Sequence, residues 1–119
     1  MAYNSYYTLS PRFLIGNKVA ALADETPLLD IIEEVRNTFP DACYCLTKEG
    51  ESNGRGKWYE CSENIAAISK KYPNVLFIIH REGEDSGDIE NVYILNGKVQ
   101  VAKAILTIPT VDIDALLKG

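Results

Sequence analysis

FPDACYCLTKEGESNG, residues 39–54, lies without a gap over YPNVLFIIHREGEDSG, residues 72–87. Pro40 falls on Pro73, Glu49-Gly50-Glu51 on Glu82-Gly83-Glu84, and Gly54 on Gly87. Phe39/Tyr72, Asp41/Asn74, Tyr44/Phe77, Leu46/Ile79 and Lys48/Arg81 are conservative pairs, and upstream Ile32 and Val35 fall on Ile65 and Ile68. Self-similarity at a fixed offset defines a folding unit before any motif is considered. Each copy reads as an amphipathic helix, an aromatic residue and a proline that stop it, a strand, and a glycine turn. Proline lacks an N–H and disfavours helix at the residue before it.

Working outward, the first helix is expected over 27–38. Thr26 would be its N-cap, with Pro27 at the first helical position, where a missing N–H is harmless. Leu28, Leu29, Ile31, Ile32 and Val35 form its apolar face. The second helix is expected from a Ser62 cap through Lys71. The strands that follow would be ACYCLTK (42–48) and VLFIIHR (75–81), with NSYYTLS (4–10) before them and a short KWYE (57–60) between the copies. IENVYIL (89–95) and KVQVAKAILTI (98–108) flank Asn96-Gly97, the residue pair that best supplies the positive φ angles of a tight hairpin turn. Residues 11–26 would form a small hairpin about Gly16-Asn17 or a loop packing Phe13, Leu14 and Ile15 on the core, and VDIDALLKG (111–119) one helical turn after Pro109. The expected architecture is α+β and ferredoxin-like, a βαβ-βαβ pseudo-repeat with a C-terminal β-hairpin extension. Two helices would cover one face of a mainly antiparallel sheet. The chain, 1–119, forms one domain whose halves span roughly 27–56 and 60–89.

The 119 residues are 46% hydrophobic and 24% charged, the balance of a globular domain. No run reaches the roughly 18 apolar residues of a membrane span, and MAYNSYYTLSPR has no basic region followed by an apolar one, so no signal peptide is expected. Three cysteines, Cys43, Cys45 and Cys61, offer no paired framework, and a reduced, cytoplasmic protein is the simpler expectation. A net charge of −5 with scattered basic residues disfavours direct contact with nucleic acid and favours a partner with a basic surface.

KWYECSENIAAISKKYPNVLFIIHREGEDSGDIENVYILNGKVQ (57–100) resembles a family of small uncharacterised proteins encoded by bacteriophages and mobile elements. The matching residues are Lys57, Trp58, Tyr59, Lys71, Tyr72, Pro73, Glu82, Gly83, Glu84, Gly87, Asp88, Tyr93, Asn96, Gly97 and Lys98. Two positions depart from that pattern: Arg81 stands where it has glycine, and Glu90 where it has tryptophan. The resemblance implies no activity. It implies provenance, a phage-type accessory protein that binds a host or defence component.

Candidate sites follow from residue type. REGEDSGDIE (81–90) holds five carboxylates, Glu82, Glu84, Asp85, Asp88 and Glu90. As an EF-hand it fails, because setting Gly87 at the invariant glycine puts Tyr93 where the bidentate glutamate belongs. It reads first as a solvated turn and second as a docking edge for a protein partner. The glycine-rich segment 50–59 brings Arg55, Lys57 and Trp58, which with the single histidine, His80, would suit a small anionic ligand. It is no P-loop, since no Gly-Lys-Ser/Thr is present. Cys43 and Cys45 would share one side of a strand, but the Cys-x₂₋₄-Cys spacing of a zinc site is absent, so neither a metal nor another cofactor is expected. No nucleophile motif accompanies His80. The expected function is therefore non-catalytic: binding and inhibiting or redirecting a host or defence protein, for example as an anti-CRISPR-like inhibitor, through the acidic turn and a sheet face. The alternative is a nucleotide-signal sponge at 50–59. An exposed sheet edge would also permit a homodimer.

Overall fold

The structure, a computed structural model, describes residues 4–84 and 87–104. Within them the chain runs β1 (Tyr6–Ile15), β2 (Lys18–Val19), α1 (Thr26–Thr38), α2 (Pro40–Cys45), α3 (Cys61–Ser69), β3 (Val75–Glu82), β4 (Ile89–Leu95) and β5 (Lys98–Lys103). The strands form one five-stranded sheet in the order β2-β1-β3-β4-β5, every neighbouring pair antiparallel. The α+β class stands. No helix among the described residues is long and apolar enough to cross a membrane.

The ferredoxin-like βαβ-βαβ order is not confirmed, because the first copy of the repeat has no strand after its proline. Residues 42–48 were expected as a strand; Pro40–Cys45 is instead a short helix, with Pro40 in its first turn after an extended Phe39. Ala42 and Cys45, three apart, are both fully buried, whereas Tyr44 is 79% exposed. That is helical spacing; a strand would have placed Cys43 and Cys45 on one side. The second copy puts Val75-Leu76-Phe77-Ile78-Ile79 after its proline, a β-branched and aromatic run that suits a strand, where the first offers Ala-Cys-Tyr-Cys. The expected strand at 57–60 is likewise absent and leads by turns into α3. Among the described residues three helices, not two, flank the sheet.

What replaces those strands is an irregular segment along the outer edge of β1. Gly50 accepts from the Leu9 N–H at 2.7 Å, and Gly56 exchanges two backbone bonds with Ser5 at 2.8 and 2.9 Å. Gly50 has φ +82°, and a Cβ there would sit 2.3 Å from the Leu9 carbonyl oxygen. Only glycine allows that approach. Pro11 sits in β1 without loss: Ser5 and Leu9 send their N–H groups away from β3, and Pro11, in phase with them, would do the same.

The helix ends differ slightly from expectation. Glu25, not Thr26, precedes α1, and Asp24 accepts from both the Thr26 N–H (2.9 Å) and its hydroxyl (2.6 Å). Ser62 lies inside α3, not at its cap. The expected hairpin at Asn96-Gly97 is present, and of the two alternatives for residues 11–26 the hairpin is the one that forms. β1 turns into β2 at Gly16-Asn17, and Asn96 (φ 48°) with Gly97 (φ 80°) joins β4 to β5. The expected strand residues 105–108 and the terminal helical turn lie outside the described residues.

Strand alternation divides the sheet into two faces. Tyr7, Leu9, Val75, Phe77, Ile79, Val92 and Ile94 are buried on one, in a single core with Ile31, Ile32 and Val35 of α1, Ala42 and Cys45 of α2, and Ile65 and Ile68 of α3. On the other face Thr8, Ser10, Leu76, Ile78, His80, Asn91, Tyr93 and Leu95 are all only half-buried.

Candidate functional site

The acidic segment does not form one acidic surface, because strand alternation sends its residues to opposite faces. Asp88 and Glu90 lie beside the covered core, gathered by Arg81. The Arg81 guanidinium donates to Glu90 Oε1 from Nε (2.8 Å), to Asp88 Oδ1 from Nη2 (2.7 Å), and to Asp88 Oδ2 and Ser5 Oγ from Nη1 (3.3 and 3.0 Å). The Asp88 and Glu90 carboxylates hold the guanidinium charged far above its ordinary range, Asp88 contributing most. Arg81 and Glu90 are cross-strand partners. Glu82 points to the open face, where it meets His80 at 3.2 Å, and Glu84 accepts from the Asn4 N–H at 2.9 Å. Asp85 lies outside the described residues.

The residues expected to hold an anionic ligand are also divided. Arg55 rests over the Tyr6 ring, 5.0 Å from its centre. Lys57 is exposed. Trp58 is 1% exposed and belongs to the core, while His80 stands on the opposite face of the sheet. Its Nδ1 is 2.6 Å from Asn91 Oδ1. Asn91 donates from Nδ2 to the Tyr93 hydroxyl (3.2 Å), which turns its oxygen toward the imidazole. That hydrogen bond, with a smaller contribution from Glu82, raises the His80 pKa above its ordinary value.

Where Trp58 and Arg81 come together is a cavity of about 320 Å³ that neither residue announces by motif. The backbone exchange between Gly56 and Ser5 fixes the chain two residues before Trp58, and the Cys61 N–H donates to the Trp58 carbonyl at 3.2 Å as α3 begins. The Tyr7 hydroxyl bridges the Trp58 backbone, donating to its carbonyl (3.4 Å) and accepting from its N–H (3.3 Å), and the two rings meet edge to face at 5.7 Å. Ile79 and Val92 line the cavity from the sheet, Cys61 and Ser62 from α3. Burial pushes the Tyr7 hydroxyl and, much further, the Cys61 thiol up, so both stay protonated at neutral pH.

The chain matches no family model, no curated protein and no solved structure.

A third feature is the open face of the sheet. Leu76, Ile78, Tyr93 and Leu95 adjoin there, Ile78 directly opposite Tyr93, with Ser10 and Arg12 on the β1 side and Gln100 and Lys98 on the β5 side. A depression of about 310 Å³ runs over Leu76, Tyr93 and Leu95. Among the described residues no three of His, Cys, Asp and Glu gather closely enough to hold a metal ion. Sequence reasoning named Trp58, Cys61, Asp88 and Glu90 separately but did not bring them together. Tyr7, Ser5 and Cys61 are 51, 53 and 3 positions away, and the first two come in through the Ser5–Gly56 backbone exchange and the pairing of β1 with β3.

Proposed function

We propose that the protein is a non-catalytic binding protein that engages another protein through the open face of its sheet. The observation that carries this reading is the apolar centre formed by Leu76, Ile78, Tyr93 and Leu95 inside a polar rim. Apolar centres with polar rims mark interaction surfaces, and tyrosine is among the residues that contribute most to them. The acidic part of the expectation narrows to Glu82 and Glu84, the exposed carboxylates at one end of that face. Asp88 and Glu90 serve Arg81 and would meet a partner only by giving up those bonds. A basic partner surface fits Glu82, Glu84 and a net charge of −5. Placing the partner in a host cytoplasm, as a defence protein inhibited or redirected by a phage-type accessory protein, rests on the resemblance of residues 57–100.

Affinity capture from bacterial lysate with mass-spectrometric identification tests the reading, using wild type, Tyr93→Lys and Glu82→Lys/Glu84→Lys side by side. The expected result is one protein held by the wild type, lost with Tyr93→Lys and weakened by the charge reversal. A partner retained equally by both variants, or no captured partner, overturns the proposal.

A further inference from the structure

We propose that the open face of the sheet holds a second copy of this chain, packed face to face about a two-fold axis that runs across the strands. The inference rests on the reading of that face as an interaction surface, and it names the occupant when no foreign partner is present. The order of charge along the strands specifies that occupant. At one end Glu82 lies on β3 between Tyr6 and Ile89, with Glu84 beyond the strand, and both carboxylates are exposed. At the other end Arg12 lies opposite Leu76 and Lys98 opposite Leu95, and both cations are exposed. Glu82 and Leu76 are six positions apart on one strand, so about 20 Å separates the two ends. Ile78 and Tyr93, directly opposite each other, occupy the middle.

A face that is acidic at one end and basic at the other complements itself. The basic surface that Glu82 and Glu84 ask of a partner is present on the chain, at Arg12 and Lys98. Arg12 donates to the neighbouring Pro11 carbonyl at 2.9 Å, and among the described residues neither Arg12 nor Lys98 pairs with a carboxylate. Turned about an axis across the strands, a second copy sets each acidic end over the other's basic end. Turned about an axis along the strands, it would set acid on acid and base on base. With a net charge of −5 on each copy, only the first arrangement offsets the general repulsion. Such a contact uses the same patch on both copies and closes at two.

The competing route to a dimer is pairing of β5 with itself, since β5 has no second neighbour among the described residues. Antiparallel self-pairing centred between Gln100 and Val101 would set Lys98 of each copy against Lys103 of the other. Like charges directly opposite are destabilising, and lysines on an edge strand act against such pairing. The face has no such obstacle. Four strands about 4.8 Å apart, each contributing four alternate residues about 6.8 Å apart, give a footprint of roughly 500 Å² per copy. A standard interface removes about 800 Å² from each partner, so the dimer belongs among the weak, reversible ones.

The experiment uses the purified full chain in sedimentation velocity from micromolar to millimolar concentration. Wild type is compared with Tyr93→Lys, with Glu82→Lys/Glu84→Lys, with Arg12→Glu/Lys98→Glu, and with an equimolar mixture of the two charge-reversed variants. The expected result is a reversible dimer of the 13.2 kDa chain, weakened about tenfold or more by Tyr93→Lys and by each double reversal. One reversed variant is basic at both ends and the other acidic at both, so their mixture should associate about tenfold or more tightly than either alone. A variant that failed to fold could not give that rescue. Three outcomes overturn the proposal: a monomer throughout the range, a dimer that Tyr93→Lys leaves unchanged, or a mixture no tighter than its components. A monomeric wild type that still captures a foreign protein through Tyr93 overturns this inference and leaves the proposed function standing. A dimer with the charge rescue but no captured foreign protein supports this inference and overturns that function.

Discussion

At the scale of single residues, the carboxylate-rich turn resolves into two separate charge networks. Arg81, Asp88 and Glu90 share a partly buried site, with side-chain exposures of 18%, 34% and 17%. Removing the cation leaves two neighbouring carboxylates unpaired. Such a change costs about 3–5 kcal/mol for a fully buried pair, and partial solvent access reduces it here to about 1–3 kcal/mol. Urea denaturation of Arg81→Ala should show that loss, with the native far-UV spectrum kept. The His80 network gives a pH-dependent counterpart. Its Nδ1–H donates to Asn91 in either charge state, and protonation adds an Nε2–H donated to Glu82. The folded-state pKa is raised above the ordinary 6.5, chiefly by the Asn91 bond. The stability that follows is fully present below the unfolded-state value and disappears as pH rises through the folded-state value. An NMR titration of this single histidine should have its midpoint above 6.5, and Asn91→Ala should lower it. The stability difference between wild type and His80→Gln should be largest in mild acid. A midpoint unmoved by Asn91→Ala would separate the shift from that bond. The sequence placed these carboxylates on one turn, but which of them Arg81 would bind depends on the register of β3 against β4, which no local pattern states.

At the scale of elements, legibility followed how local the determinant was. Asn96-Gly97 and the apolar stripe of α1 are set by residues within a turn or two, and both elements formed where expected, while at Gly16-Asn17 the hairpin formed rather than the alternative loop. The 39–48 segment failed because similarity to 72–81 was strongest at the proline and the glycines, residues that punctuate without selecting helix or strand. Between them the side chains differ, and Ala42-Cys43-Tyr44-Cys45 lacks the β-branched run of the other copy. The cysteines test the outcome. Cys43 is exposed, whereas Cys45 and Cys61 are buried, and burial raises the Cys45 thiol to about 11 and the Cys61 thiol further. Native protein treated with iodoacetamide at pH 8 should therefore alkylate rapidly at Cys43 alone, with Cys45 and Cys61 reacting only after unfolding. Comparable native rates at Cys43 and Cys45 would restore the strand, in which both side chains share one side.

At the scale of the whole molecule, the described residues form two layers: helices on one face of an antiparallel sheet and a second face that no other described element covers. The period of β4 was visible in its sequence, but which side the helices would take was not, because Leu76, Ile78, Tyr93 and Leu95 are nearly as apolar as the residues between them. The adjacent pair Tyr93 and Ile94 decides the point. Ile94 is fully buried, and an ammonium placed there has neither water nor a partner. Ile94→Lys should lose several kcal/mol of a total that for domains is about 5–15 kcal/mol, enough to leave it largely unfolded near body temperature. Tyr93→Lys projects into solvent from the other face, where lysine's stem can lie along Ile78 and Leu95, and should change stability by no more than about 1 kcal/mol. Circular-dichroism melts of the two variants read this directly. If Tyr93→Lys melts as early as Ile94→Lys, something covers the second face in the native protein, and that face is not available to a partner. If it melts with the wild type, its loss of a captured partner can be attributed to the surface itself.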